Sequence, residues 1–402
     1  MRVLAVTTWL PTREHPSTGS FVVKDARAIA DLGHEVALVH LVAPGQITDP
    51  DQLSRPITGA LRAQDQTLDG IPVTRLLMST TSPRQIAAAG RRLAMFSSGA
   101  DVVHTMAFPT LLPMAWWRPE VPWVHTEHWS GLTAPHTLPR TWRVALPGLR
   151  PLLRRPDVVT TVCDYLAGPM RRIRGEAPTT VVACIADVPE QIQPRRPGVC
   201  QDAPARISLV FVGGLIERKD PLIAVDVVAE LAHRGVRADL RFVGDGPLRA
   251  NIVQRAAERG VTGQIELLGA LDRSGILAEL ARADVFLGPT RGDNFFVSCA
   301  EAVLSGRPVV VGATGGHGEY LDPRVGICVE THTPQAYAYA IAEVLERTKE
   351  LSAEQISATI GPAFSPAAVG HGYQQVYDRA IELHGDPEQE HREQHDLDEG
   401  RP

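Results

Sequence analysis

Short runs of Val, Ile and Leu alternate with segments of helical period along almost the whole chain, the pattern of parallel sheets covered by helices on both faces. In the first half the apolar runs predict strands at about 2–7, 35–41, 71–78, 101–106, 122–127, 158–162 and 179–185. Helical spacing predicts helices between them at about 20–32, 84–95 and 164–173. A second series starts at Ile207 and predicts strands near 207–213, 238–243, 264–268, 284–288 and 307–311. The fold class expected is therefore α/β, with two doubly wound domains. Open parallel sheets bind ligands beyond the carboxyl ends of their strands, so a site is expected in a cleft between the domains.

Between the two series, residues 187–205 hold Pro189, Pro194, Pro197 and Pro204 without periodicity and read as a linker. The expected division is 1–186 for the first domain and 206–364 for the second, with an amphipathic helix at about 365–384 packing back on the first. Residues 386–402 are polar and acidic and read as a disordered tail. That tail carries seven acids against Arg392 and Arg401, so the formal charge of −6 belongs almost wholly to it.

The 44% hydrophobic and 21% charged residues are near globular averages, and no apolar run is long enough to span a membrane. Cys163, Cys184, Cys200, Cys299 and Cys328 form no CxxC pair, so neither a disulfide framework nor a zinc site is expected. The chain starts directly on a strand, with no leader pattern, and a cytoplasmic location is expected. All six tryptophans fall within the first 142 residues, so the halves are expected to do different work.

Four elements of the second half carry candidate chemistry. Phe211-Val-Gly-Gly-Leu-Ile-Glu-Arg-Lys-Asp220 ends a strand on Gly213 and Gly214 and brings Arg218 and Lys219 to a helix start, an anion site in type. Phe242-Val-Gly-Asp-Gly-Pro-Leu248 repeats the glycine turn with Gly244. Asp293-Asn-Phe-Phe-Val-Ser-Cys-Ala-Glu301 opens a helix whose free N–H groups around Phe296 to Ser298 suit a phosphate. Thr314-Gly-Gly-His-Gly-Glu319 follows the next strand.

In this order and spacing the four elements resemble the nucleotide-sugar domain of family 4 glycosyltransferases, retaining enzymes of the GT-B fold with two Rossmann-like domains. The resemblance is strongest over about 205–320 and extends loosely to the N-terminal strand and its Gly19 loop. It implies that Lys219 contacts the donor diphosphate. Gly214 stands where the family usually has an arginine, a contact that the neighbouring Arg218 is placed to take over. Asp293 and Glu301 match the family's acid pair, the first for donor-sugar hydroxyls and the second for the ribose, with Asp293 one methylene shorter than the usual Glu. Gly269, Ala270 and Leu271 match the stretch beside the nucleobase. With Gly19, Gly213, Gly214, Gly244, Asn294, Phe295, Phe296 and Val297, these residues make up the expected donor site.

In the first half, Val124-His-Thr-Glu-His-Trp-Ser-Gly131 runs from a strand end into a loop, and His128 matches the family histidine that contacts the donor sugar. The expected catalytic set is His128, Lys219, Asp293 and Glu301. His104, His125, Glu127 and Trp129 are the expected acceptor contacts. Eight arginines between Arg140 and Arg174 against Asp157 and Asp164 suit anionic lipid or a phosphorylated acceptor, and predict a peripheral membrane contact at the inner face.

The reaction implied moves a sugar from a nucleoside-diphosphate sugar to an acceptor hydroxyl or amine of a glycan, lipid or small molecule, with retention. No cofactor or metal is expected, because no Asp-x-Asp motif accompanies the donor elements, and no nucleic-acid partner is expected. Two other readings share the fold: a silent nucleotide-sugar binder, to which the departures at Gly214, Asp293 and Cys184 point, and a nucleotide-sugar 2-epimerase.

Overall fold

The computed structural model describes residues 1–14, 18–47, 49–53, 66–195 and 206–385. The chain forms two compact units, Met1–Ile185 with the segment from Pro366 onward, and Ala186–Ser365. The acidic stretch 386–402 lies outside the described residues, as does Cys200.

The first unit contains β1 (Arg2–Thr7), α1 (Ser20–Asp31), β2 (Glu35–Val42), β3 (Gln66–Leu68), β4 (Ile71–Leu77), α2 (Pro83–Ser97) and β5 (Val102–Met106). It continues through β6 (Trp123–Glu127), α3 (Arg140–Leu149), β7 (Val158–Thr161), α4 (Asp164–Arg174) and β8 (Thr179–Val181). Its sheet has the order β3-β4-β2-β1-β5-β6-β7-β8. Every pairing is parallel except that of β3 with β4. The apolar runs of β1, β5 and β6 are buried along their whole length or nearly so, as strands covered on both faces must be.

The second unit contains β9 (Ile207–Val212), α5 (Pro221–His233), β10 (Ala238–Val243), α6 (Arg249–Glu258), β11 (Ile265–Gly269), α7 (Arg273–Arg282) and β12 (Val285–Gly288). It then runs through α8 (Val297–Leu304), β13 (Val309–Gly312), β14 (Gly326–Val329), α9 (Pro334–Arg347) and α10 (Ala353–Ser357). The order β11-β10-β9-β12-β13-β14 is that of a Rossmann sheet, all parallel, with its switch point between β9 and β12. β14 was not among the expected strands; pairing with β13 defines it.

The last helix, α11 (Pro366–His384), packs on α1 and returns the chain to the first unit. Val369, Tyr373, Val376, Tyr377 and Ala380 form its buried stripe at spacings of three and four residues. Tyr373 also donates a hydrogen bond to Asp25 Oδ2 on α1 at 3.0 Å.

Part of the expected linker belongs to the second unit. Arg195 donates to the carbonyl oxygens of Thr348 and Leu351, and Arg307 to that of Gln193 at 2.8 Å, so residues 186–195 lie fastened on that unit. The remainder, 196–205, lies outside the described residues.

The glycine turns after β9 and β10 pack backbone to backbone. Gly244 has φ +135°, and a Cβ there would overlap the Gly213 carbonyl oxygen, which has no side chain with which to yield. Gly244→Ala is expected to cost about 2–3 kcal/mol through strain and overlap together. A urea titration checks this; a midpoint within error of the wild type's would show that the turn has room.

Candidate active site

The carboxyl ends of β9 and β12 flank the switch point of the second sheet, and the loops that leave them bring the charged groups together. After β9 the chain makes a short 3-10 turn, Glu217–Lys219, before Asp220 caps α5. After β12 it crosses Asp293 and enters α8 through Phe296. Lys219 Nζ and Arg218 Nη1, the latter at 2.9 Å, both pair with Asp293 Oδ2. Arg218 Nη1 also donates to the Gly292 carbonyl at 2.7 Å. Two cations thus share one carboxylate oxygen, and Arg218 stands beside Lys219.

Burial alone would push the Asp293 carboxyl up, but the Lys219 and Arg218 charges hold it at about 2. Burial pulls the Lys219 ammonium down, and Asp293 pulls it back up. The ammonium also lies 3.7 Å from the centroid of the Phe296 ring, a cation–π contact. That ring meets Phe286 and His317 at near-perpendicular angles. A Cβ at Gly288 would come within 2.6 Å of it. Phe296 has φ +63°, uncommon for a bulky residue and held here by packing on all sides.

The expected open N-terminus of α8 is partly closed. Phe296 N–H donates to Asp293 Oδ1 at 3.3 Å, and the Phe295 and Phe296 side chains are buried, as is Asn294. Asp293 therefore holds the backbone at the entry to α8 with one oxygen and neutralises the cations with the other, a structural duty the motif alone did not reveal. Val297, half-buried, begins the helix, and Ser298 Oγ donates to the Val212 carbonyl at 2.9 Å, tying α8 to β9.

Glu301 lies on the second turn of α8 and is 8% exposed, with Oε1 accepting the Asp187 N–H at 3.4 Å. Gly213 and Gly214 end β9, and the Gly244 N–H donates to the Gly269 carbonyl at 2.8 Å, where β11 gives way to Ala270 and Leu271. Glu319 closes the 3-10 turn Gly316–Glu319.

In the first unit three of the expected acceptor contacts lie buried in the core. His104 is fully buried, with Nδ1 2.8 Å from the Tyr377 hydroxyl and Nε2 2.6 Å from Thr126 Oγ1, so both nitrogens are spent on the core. His125 is fully buried too, with Nδ1 2.9 Å from Thr105 Oγ1. Glu127, also fully buried, accepts the N–H groups of His128 and Trp129 on Oε1 at 3.0 and 2.7 Å. It shapes the loop instead of reaching from it. Strand ends near a site look alike in sequence whether a side chain points along the loop or into the sheet.

His128 and Trp129 are half-buried beyond the end of β6. Burial, with a smaller push from His125, holds His128 at about 3, so it is neutral at pH 7. Its ring packs on Phe21 of α1, and Trp129 packs on Phe108 and Trp142. Gly19 takes the left-handed conformation that starts α1.

Sequence reading missed the support behind Lys219. Asp220 Oδ2 pairs with Arg291 Nη2 at 2.7 Å and lies 2.9 Å from His332 Nε2, fastening the Lys219 turn to the loops after β12 and β14. The Asp-Pro pair at 220–221, a helix-start signal, was the available clue. Among the described residues no three His, Cys, Asp or Glu side chains gather in a group that could hold a metal ion.

Comparison with known proteins follows the same division. A family model described as "Glycosyl transferase 4-like domain" matches residues 18–185, and one described as "Glycosyl transferases group 1" matches residues 206–347. The chain is 34% identical over 146 residues to the GDP-mannose-dependent alpha-(1-6)-phosphatidylinositol dimannoside mannosyltransferase of Mycobacterium tuberculosis, covering 36% of this chain and only 37% of that protein. It is 25% identical over 413 residues to D-inositol 3-phosphate glycosyltransferase 2 of Catenulispora acidiphila, covering 91% and 92%. Among solved structures, the sucrose-phosphate synthase of Thermosynechococcus elongatus superposes with a TM-score of 0.73 at 17% identity, covering 94% of this chain and 99% of that one. Anabaena HepE, solved with UDP and glucose, does so with 0.68 at 16%, covering 94% and 99%. At such identities the structural likeness speaks for the fold alone.

Proposed function

We propose, from the premise that this chain belongs to the group 1, family 4-like glycosyltransferases of the GT-B fold, that it transfers a sugar from a nucleoside-diphosphate sugar to an acceptor hydroxyl or amine with retention of configuration. The observation that carries this reading is the pairing of Lys219 and Arg218 on Asp293 at the switch point of the second sheet. Two cations on one carboxylate leave a net positive charge where a diphosphate would lie, and α8 starts beside them.

In this reading the donor diphosphate takes its counter-charge from Lys219 and Arg218, and Asp293 keeps the pair in place before the donor arrives. As the bond to the sugar breaks, charge develops on the β-phosphate, and fixed cations stabilise it without reorganising. The departing diphosphate receives the acceptor's proton, and the acceptor attacks from the same face. Glu301 serves the ribose, and neutral His128 offers a hydrogen bond to the transferred sugar. The scheme uses no metal, since side chains supply the charge.

The first unit holds the acceptor, with Trp129 offering a flat apolar face. The relatives named for phosphatidylinositol dimannoside and inositol 3-phosphate favour a polyol or lipid-linked acceptor here. No described helix is long and apolar enough to cross a membrane, and we place the enzyme in the cytoplasm, touching the inner leaflet through the Arg140–Arg174 region.

A thermal-shift screen of UDP-, GDP-, ADP- and TDP-sugars tests the donor site. A bound donor at about 100 times its dissociation constant adds about 2.7 kcal/mol of stability. One nucleotide class is expected to raise the melting temperature, and the same donor to lose its sugar to an acceptor extract faster than to water. No shift with any nucleotide would sink the reading; a shift without transfer would leave a silent binder.

A further inference from the structure

We propose that a groove in the first unit, between the loop after β6, Arg150 and α4, binds the phosphate group of a ligand; this rests on the acceptor reading above and names the chemistry of that acceptor side. Half of the eight arginines of the basic stretch are already committed. Arg154 Nε donates to the Ile173 carbonyl at 2.6 Å, and Arg155 to that of Met114. Arg171 pairs with Asp164 at 2.9 Å, and the buried Arg174 donates to the carbonyls of Leu153, Pro156 and Asp157.

Arg150 and Arg172 differ. Among the described residues neither side chain has a hydrogen bond or ion pair, and both line this one groove, with Thr133, Tyr165, Leu132 and Ile173 as its other walls. Arg150 Nε is shut off from solvent with no acceptor. That separates it from Arg140 and Arg143, which stand exposed on α3. Two guanidinium groups on one groove offer several N–H donors that an anion's oxygens would satisfy.

Gly168 lies on the groove wall, where it adds no side chain. Arg172 Nη1 lies 3.8 Å from where a Cβ there would be, so its guanidinium stretches back along α4 toward the groove. Two guanidinium groups against a wall that includes Leu132, itself only 6% exposed, suit a tetrahedral anion carried on a larger molecule. A soluble phosphomonoester and a phospholipid headgroup present the same chemistry.

Calorimetry of the full chain with glycerol 3-phosphate, and sedimentation with phosphatidylcholine vesicles with and without phosphatidylglycerol, separate these sources. Saturable binding of glycerol 3-phosphate assigns the groove to a soluble phosphate; binding of the anionic vesicles alone assigns it to a lipid. In either case the double variant R150Q/R172Q is expected to bind at least tenfold more weakly. Gly168→Leu, which fills the groove without removing charge and favours the helix, is expected to do the same, with thermal unfolding reporting that both variants fold. Wild-type affinity in either variant, or binding of neither probe by the wild type, overturns the proposal. The nucleotide shift of the wild-type chain in the same buffer reports on the donor reading separately, so its presence beside absent phosphate binding sinks the groove alone.

Discussion

Lys219→Met is expected to lower turnover about 10²–10³-fold, the usual cost of removing one preorganised donor from developing charge. The fold should survive, because Asp293 keeps Arg218 on Oδ2 and the Phe296 N–H on Oδ1. Asp293→Ala is the contrasting variant. It strips two neighbouring cations of their shared carboxylate and frees the Phe296 N–H, and breaking a buried pair this way costs about 3–5 kcal/mol. Steady-state kinetics with a saturating donor, read beside urea midpoints, separates the two. The assignment fails if Lys219→Met turns over within fivefold of the wild type, or unfolds as readily as Asp293→Ala. The first outcome would take the ammonium away from the diphosphate, and the second would make Lys219 a structural cation.

The second large effect is on stability and lies far from the donor loops. Asp25 is 1% exposed between α1 and α11, with Oδ2 bonded to Tyr373 and no partner for Oδ1 among the described residues. Burial pushes its carboxyl up from 3.8 to about 7, against smaller lowering by the Tyr373 hydrogen bond and the Lys24 charge. The sign follows from proton counting. Between pH 3.8 and about 7 the folded chain holds a proton here that the unfolded chain has released, so this group's contribution to stability falls as pH rises across that window. At about 1.4 kcal/mol per pH unit the loss is on the order of 4 kcal/mol. Asp25→Asn keeps the shape and cannot ionise, so its urea midpoint is expected to lack this slope. Equal pH dependence in variant and wild type would place the titration elsewhere.

Much of the architecture was legible in the sequence because buried parallel strands are apolar along their whole length, and most strands of both sheets lie where the runs predicted them. The helices around α1, α2, α4 and α11 were legible for the same reason at the other period. β3 and β14 were not among the expected strands, and pairing with β4 and β13 decides them. The glycine loops of the second unit were legible as motifs, since glycine turns followed by a cation or an acid sit at fixed offsets from strand ends. The aromatic loops were not. Trp123 is fully buried in the core while Trp116 is 69% exposed, although both belong to one cluster in the sequence.

The sequence by itself determined the α/β class, the two sheet series, the family resemblance and the identity of the charged residues at the second sheet's switch point, because period and spacing are local properties. Only the tertiary structure decided which way those side chains turn. It put Arg218 beside Lys219 on one oxygen of Asp293, sent His104 and His125 into the core, and left the Arg150 and Arg172 side chains facing one groove without partners among the described residues. Those outcomes depend on burial and on partners tens or hundreds of residues away, as when Tyr377 of α11 meets His104 of β5. Free energy at such contacts is set by what surrounds a group in space, and chain order carries that information only after folding has joined the pieces.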